Sequence, residues 1–200
     1  MLCRNPLQPG ANHQQKILIL TANPKNTDKL RLDQEVREIQ HGLDRAKQRD
    51  RFEIISRWAT RPDDLRRALL DHNPNIVHFS GHGGGEHGLA LENDTGKLQL
   101  VSTTALTRLF SVFRDTIECV LLNACYSEAQ ASAISQHIPY VIGMNQAIGD
   151  RAAIEFSVGF YDAIGAGRSI EEAFEMGCAS IELESIPESL TPVMKRKAAL

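Results

Sequence analysis

Five short apolar runs, separated by segments of helical spacing, constrain the fold of this chain more than any other feature. The runs are KILILTANP (residues 16–24), FEIISRW (52–58), NIVHF (75–79), IECVLLNAC (117–125) and YVIGM (140–144). A strand with one wet face alternates apolar and polar residues, whereas an almost continuous apolar run needs cover on both faces. Between the first two runs, Leu32, Val36, Ile39, Leu43 and Ala46 recur on one side of a helix predicted over 28–49, with charges opposite. Thr60, Pro62, Asp63 and Asp64 supply a cap, an early proline and first-turn acids for a second helix that ends near Asp71. Further helices are predicted over 102–113 and 128–137. Asp150 reads as the N-cap of the next, which ends near Gly165 and Gly167. Ser169 and Glu172 form the capping box of a last helix that runs to about Leu183.

GLALEN and KLQLV flank Asp94-Thr95-Gly96, a hairpin signature inserted into this alternation. Strands alternating with helices specify an α/β fold: a mostly parallel central sheet, helices on both faces and a small β-hairpin insertion. Residues 16–192 read as one domain, with a flexible arm over 1–15 and a tail over 193–200. Everything after Pro187 is expected to be peripheral.

Composition narrows the class. The 200 residues are 42% hydrophobic and 24% charged, with a formal net charge of −3. That balance lacks the basic surplus of a nucleic-acid binder. The basic clusters at 45–51 and 57–67 read as solvated helix faces. No apolar segment approaches the roughly 20 residues that span a bilayer. The opening MLCRNPLQPGANHQQ lacks the apolar stretch of a secretory signal. A cytoplasmic protein, with neither membrane nor nucleic acid as partner, is expected. Cys3, Cys119, Cys125 and Cys178 include no CxxC pair, so no structural zinc site is indicated and free thiols are expected.

In open α/β sheets the working site lies beyond the carboxyl ends of the strands. Two ends carry chemistry here: the third run passes into Ser80-Gly81-His82-Gly83, and the fourth into Asn123-Ala124-Cys125. The stretch NIVHFSGHGGGEHG (75–88) admits three readings. A phosphate cradle lacks both the Walker pattern and a following helix N-terminus. A metal site would have to gather His78, His82 and His87. Yet His78 lies inside the apolar run and reads as a core residue, while His87 stays ambiguous at the start of the hairpin. The third reading pairs His82 with Cys125. A thiol becomes a nucleophile as the thiolate, and a neighbouring imidazole can take its proton and later protonate a leaving amine. If the two strands are neighbours, both side chains meet at one edge of the sheet. Glycines at 81, 83 and 84 then let the backbone bend and present N–H groups to an oxyanion. Cys119, inside the fourth run, and Cys178, on the apolar side of the last helix, read as core.

VHFSGHG followed by VLLNACYSE resembles the CHAT domain, a caspase-like peptidase domain related to caspases, metacaspases and separase. ILILTANPKNTDKLRLDQEVREI, RWATRPDDLRRALL, GLALENDTG and VIGMNQAIGDRAAIEFSVGFYDAIGAGRSIEEAF extend the resemblance over residues 16–192. It implies a caspase-like three-layer sandwich and an endopeptidase. His82 would be the base, Cys125 the nucleophile, and the backbone N–H groups of Gly83 and Cys125 the oxyanion hole. Cleavage of a protein substrate would pass through a thioester acyl-enzyme, with no metal or organic cofactor.

The chain also departs from the family pattern. Tyr126-Ser127 follows the cysteine, and Asn123 stands where metacaspases commonly carry an Asp that helps bind a basic P1 side chain. A neutral amide cannot pair with Arg or Lys as a carboxylate would. Asp150 is a second candidate for substrate binding, set against its plainer reading as a helix cap. CHAT domains are usually fused to sensor, repeat or adaptor modules, which implies a sensor or adaptor partner in a bacterial signalling or defence system. A separately encoded partner, switching by oligomerisation and a longer parent protein all stay open, as does the oligomeric state. A non-catalytic interaction module on the same scaffold is the alternative to an enzyme, and a metal-dependent hydrolase using His78, His82 and His87 the third.

Overall fold

The computed structural model describes residues 14–198. In chain order its elements are β1 (Gln15–Ala22), α1 (Leu32–Arg45), β2 (Phe52–Arg57), α2 (Pro62–His72), β3 (Ile76–Gly81), β4 (Leu89–Glu92) and β5 (Leu98–Val101). There follow α3 (Thr103–Val112), β6 (Cys119–Asn123), α4 (Glu128–Ile134), β7 (Tyr140–Met144), α5 (Asp150–Gly165), α6 (Ile170–Leu183) and β8 (Pro192–Arg196).

Six of the strands form one sheet in the order β2-β1-β3-β6-β7-β8. The first five in that order are parallel, and β8 runs antiparallel to β7. β3 and β6 lie at the centre, and every residue of both is buried, as their largely apolar character requires. Successive strand residues point to opposite faces, which divides the core in two. Leu18, Leu20, Val77, Phe79, Val120 and Leu122 pack with α2, α3 and α4 on one face. Ile17, Ile19, Ile76, Cys119, Leu121 and Ile142 pack with α1, α5 and α6 on the other. The architecture is the three-layer α/β sandwich. Phe156 and Phe160 of α5 are wholly buried, and each such ring stabilises the fold by about 2 kcal/mol through the apolar area it removes from water.

The expected hairpin is present outside the main sheet, with β4 and β5 pairing antiparallel from Leu89↔Val101 to Glu92↔Leu98. It fastens the loop 23–31 between β1 and α1. Lys25 N–H donates to Gly96 O at 2.9 Å, Leu98 N–H to Asn26 Oδ1 at 2.8 Å, and Asn23 N–H to Glu92 Oε1 at 3.0 Å. The same loop explains where α1 begins. The Asn23 side chain donates to Leu30 O at 3.1 Å and accepts from Leu30 N–H at 3.4 Å. A side chain that occupies backbone groups in this way competes with helix formation. The helix therefore starts at Leu32 rather than near Asp28.

The C-terminal segment is not the peripheral tail expected after Pro187. Residues Pro192–Arg196 complete the sheet, paired with β7 from Tyr140↔Arg196 to Met144↔Pro192. Proline and basic residues mark edge strands, because an edge leaves one row of backbone groups without a ladder. Their presence in PVMKR masks the strand in the sequence. Of the expected N-terminal arm, residues 1–13 lie outside the described residues, and Gln15 already belongs to β1.

Candidate active site

β3 and β6 are paired neighbours, with Ser80 opposite Asn123. His82 and Cys125 each follow that pair by two residues. Two parallel strands in register thus deliver the imidazole and the thiol to one edge of the sheet at the same height. Both line a narrow cleft of about 40 Å³ together with Leu30, Ile148 and Asp150. A space of that size holds a small group and is far below the several hundred Å³ of a nucleotide or cofactor site.

Cys125 stands on a tight turn. Ala124 N–H donates back to Leu122 O at 2.9 Å, and Tyr126 adopts a left-handed backbone with φ 56°, a conformation costly for a bulky side chain. Neighbouring bonds hold it. Tyr126 N–H donates to Gln146 O at 3.1 Å. Ser127 Oγ donates to Leu122 O and accepts from Met144 N–H, both at 2.9 Å. The turn lifts the thiol out of the strand, where Ile148 N–H donates to Cys125 Sγ at 3.4 Å.

His82 is held from the other side, with its Nε2 2.8 Å from Asp28 O. A carbonyl only accepts, so Nε2 carries the proton and Nδ1 is left as the basic nitrogen of the neutral ring.

Gly83 comes next in the chain and closes on the cysteine. A Cβ added there would lie 1.9 Å from Cys125 O, so only glycine fits. Its bridge to Leu89 is made through the flanking residues, Ala90 N–H to His82 O at 3.0 Å and Gly84 N–H to Gly88 O at 2.8 Å. The Gly83 N–H is left out of that ladder.

Beneath the cleft lies a buried polar cluster centred on Glu35. Its Oε1 accepts from Asn123 Nδ2 and Ser157 Oγ, both at 2.7 Å, and lies 3.0 Å from His78 Nε2; its Oε2 accepts from Ser80 Oγ. His78 Nδ1 is in turn 3.2 Å from Tyr161 OH. Burial alone would raise the Glu35 carboxyl, but the hydrogen bonds and charge of His78, with Ser80 and Ser157, outweigh it and hold the group below its ordinary value. Asn123 is 4% exposed and points into this cluster, its amide nitrogen also donating to Ala153 O at 3.1 Å. Asp150 is the first residue of α5 rather than its cap. Gly149 takes the cap position, its carbonyl accepting from Ala153 N–H at 3.0 Å. The Asp150 side chain is thereby left on the cleft wall.

The CHAT domain family model matches residues 2–177 of this sequence. The chain belongs to the CHAT domain family. A protein named "Roc-COR-CHAT protease" from an unknown prokaryotic organism is 25% identical over 179 residues, 86% of this chain. The CHAT chain spans only 17% of that relative's length. Among solved structures, the Arg-specific cysteine proteinase gingipain R superposes with a TM-score of 0.67 at 12% identity, over 93% of this chain and 46% of its own. Caspase-1 from Spodoptera frugiperda gives a TM-score of 0.61 at 10% identity, over 98% and 94% of the two chains. At such identities the likeness establishes a caspase-like fold.

The other thiols of the CHAT domain sit in different surroundings. Burial, aided by Glu118, pushes the Cys119 thiol far up, and burial with Glu175 and Glu182 pushes Cys178 up to about 12. Cys3 lies outside the described residues. The three histidines of the glycine-rich stretch are not brought together: His78 is buried at Glu35, and His87 is exposed in a short 3₁₀ turn. Among the described residues no group of three or more His, Cys, Asp or Glu is placed to hold a metal ion, and no helix is long and apolar enough to cross a membrane.

Two site residues escape a reading of the sequence. Asp28 acts through its carbonyl, which no side-chain pattern reports. Glu35 does leave a signal, an acid set among Leu32, Val36 and Ile39 on the apolar stripe of α1.

Proposed function

We propose that this CHAT domain is a cysteine endopeptidase with Cys125 as nucleophile and His82 as general base. The observation that supports it most is the shared height of the two residues at the ends of adjacent parallel strands. His82 Nδ1 takes the Cys125 proton, and the thiolate attacks the carbonyl carbon of the scissile peptide bond. The resulting oxyanion is received by the N–H groups of Gly83 and Cys125. The imidazolium then protonates the departing amine, leaving a thioester. A water deprotonated by His82 attacks that thioester and releases the acid product and the thiol. No metal or organic cofactor takes part. Asp150, on the cleft wall, is the carboxylate placed to meet a substrate side chain, whereas Asn123 shapes the floor through Glu35.

The substrate in this reading is a protein. A sensor or adaptor module acts as partner, in keeping with the Roc-COR part of the relative's name, and the setting is bacterial signalling or defence in the cytoplasm. Unbiased peptide-library cleavage tests the proposal. Cys125→Ala and His82→Ala each abolish cleavage under it, and activity surviving in the Cys125→Ala protein sinks it.

One observation favours a second reading, a latent module switched on by its partner. The hydrogen bonds of Cys125 Sγ run to Ile148, and none among the described residues joins it to His82. Such bonds often tighten only in a substrate complex. A thiol-reactive peptide probe separates the two. Labelling of Cys125 in the isolated chain favours the competent enzyme, and labelling only after partner addition favours latency.

A further inference from the structure

Glu35 is a carboxylate at 2% exposure that the proposed reaction does not use. A buried charge is retained only where enough donors surround it, and these come from separate elements. Ser80 belongs to β3, Asn123 to β6 and Ser157 to α5, with the His78 ring of β3 alongside at 3.0 Å, while Glu35 itself sits in the first turn of α1. Each of these elements carries a part of the site. β3 runs directly into His82, and β6 runs on for two residues to Cys125, each two residues beyond the Ser80–Asn123 pair. α1 is preceded by the loop whose Asp28 carbonyl holds the imidazole. α5 is preceded by Ile148, whose N–H meets the thiol.

We propose that Glu35 is the positioning residue of the site: one buried carboxylate that fixes α1, β3, β6 and α5 against one another, so that the Asp28 carbonyl, His82, Cys125 and Ile148 stand in working register. The inference rests on the cysteine–histidine reading above. Its physical basis is the asymmetry of the cluster. Ser80, Asn123 and Ser157 all donate toward the Glu35 oxygens, so an uncharged amide there turns an N–H pair against a donor and leaves at least one buried group without a partner. The apolar layers of the sheet stay intact, and the loss falls on the relative placement of the strand ends. Displacements of about 1 Å at a reacting centre cost on the order of a hundredfold in rate, and loss of a supporting hydrogen bond roughly ten- to a hundredfold.

The test is the second-order rate constant for alkylation of Cys125 by iodoacetamide, read by mass spectrometry well below the melting temperature. At that temperature each protein is almost wholly folded, so the rate constant reports the thiol in the folded site. Wild type, His82→Ala, Glu35→Gln and Ser80→Ala are compared, with peptide turnover followed in parallel. The expected result is wild type fastest, Glu35→Gln lower by roughly ten- to a hundredfold, and Ser80→Ala lower by a few-fold, with KM little changed and kcat following the alkylation rate. Should Glu35→Gln fail to fold, Ser80→Ala carries the same comparison. Wild-type rates in the folded Glu35→Gln and Ser80→Ala proteins, alongside a slow His82→Ala, overturn the role of Glu35 and leave the dyad standing. Equal rates in wild type and His82→Ala overturn the dyad, and this inference with it.

Discussion

His82 Nε2 and the carbonyl oxygen of Asp28 lie 2.8 Å apart, and this bond ties the loop after β1 to the loop after β3. The imidazole is thus oriented by main chain rather than by a carboxylate. Its setting depends on how firmly loop 23–31 is held, and that loop is held chiefly by Asn23 and by the hairpin.

Asn23→Ala removes both side-chain bonds to Leu30 while substituting no residue that lines the cleft. The expected cost is about 1–2 kcal/mol of stability for the lost hydrogen bonds, with a fall of roughly tenfold in kcat as the Asp28 carbonyl loosens. Thermal melting and peptide turnover measure the two effects. An unchanged kcat would show that the imidazole is oriented by something other than this loop.

Gly83→Ala puts a methyl group where Cys125 O lies 1.9 Å from the added carbon. Backbone cannot yield as a flexible side chain does, so the loop must move away from the cysteine. Loss of an oxyanion donor costs about a hundred- to a thousandfold, and a drop of that size in kcat/KM is expected. A comparably active Gly83→Ala protein would remove the Gly83 N–H from the mechanism.

Iodoacetamide at pH 8 should discriminate among the described thiols. With its thiol pushed up to about 12, Cys178 holds on the order of one part in ten thousand as thiolate, and is expected to react at least about a hundredfold more slowly than a free cysteine. Cys119 is buried completely and slower still. Peptide mapping after timed quenching gives the rates. Labelling of Cys178 at the pace of a free thiol would contradict the burial that sets its value.

The Glu35 cluster gives acid sensitivity a definite sign. Because the folded carboxyl titrates below its ordinary value of 4.5, its ionised form stabilises the fold. That contribution is fully present above the ordinary value and is lost as pH falls through the lower, folded one. Denaturant midpoints measured between pH 7 and pH 3 should show wild type losing more stability toward acid than Glu35→Gln. Parallel curves for the two proteins would refute the assignment, since surface carboxylates such as Asp64 contribute equally to both.

The central sheet was legible in the sequence because β1, β3, β6 and β7 are covered on both faces and are therefore apolar along most of their length. The candidate dyad came from a related feature: His82 and Cys125 follow the ends of two such runs, and those two strands are paired neighbours. What escaped is what depends on tertiary partners. β8 is an edge strand whose proline and basic residues weaken its pattern. The late start of α1 comes from Asn23 engaging the backbone of Leu30, a contact invisible to periodicity. Asn123, read as a substrate-binding candidate, lines the cleft, but that its amide nitrogen donates to Glu35 depends on the packing of α1 and α5 against β6 and could not be read from the sequence. Asp150 was legible as a helix beginning and as a cleft candidate, but the cap itself belongs to Gly149.

The strand order β2-β1-β3-β6-β7-β8 has a consequence for why an opening exists here at all. The chain leaves β1 toward β2 with α1 on one face, and leaves the adjacent β3 toward β6 with α3 on the other. Two neighbouring strands therefore send their continuations apart, in direction along the sheet and in layer. A crevice must open between them, whatever residues line it. The Asp28–His82 bond is the span thrown across that parting of the chain. The topology makes the gap, and one main-chain oxygen decides how wide it stands.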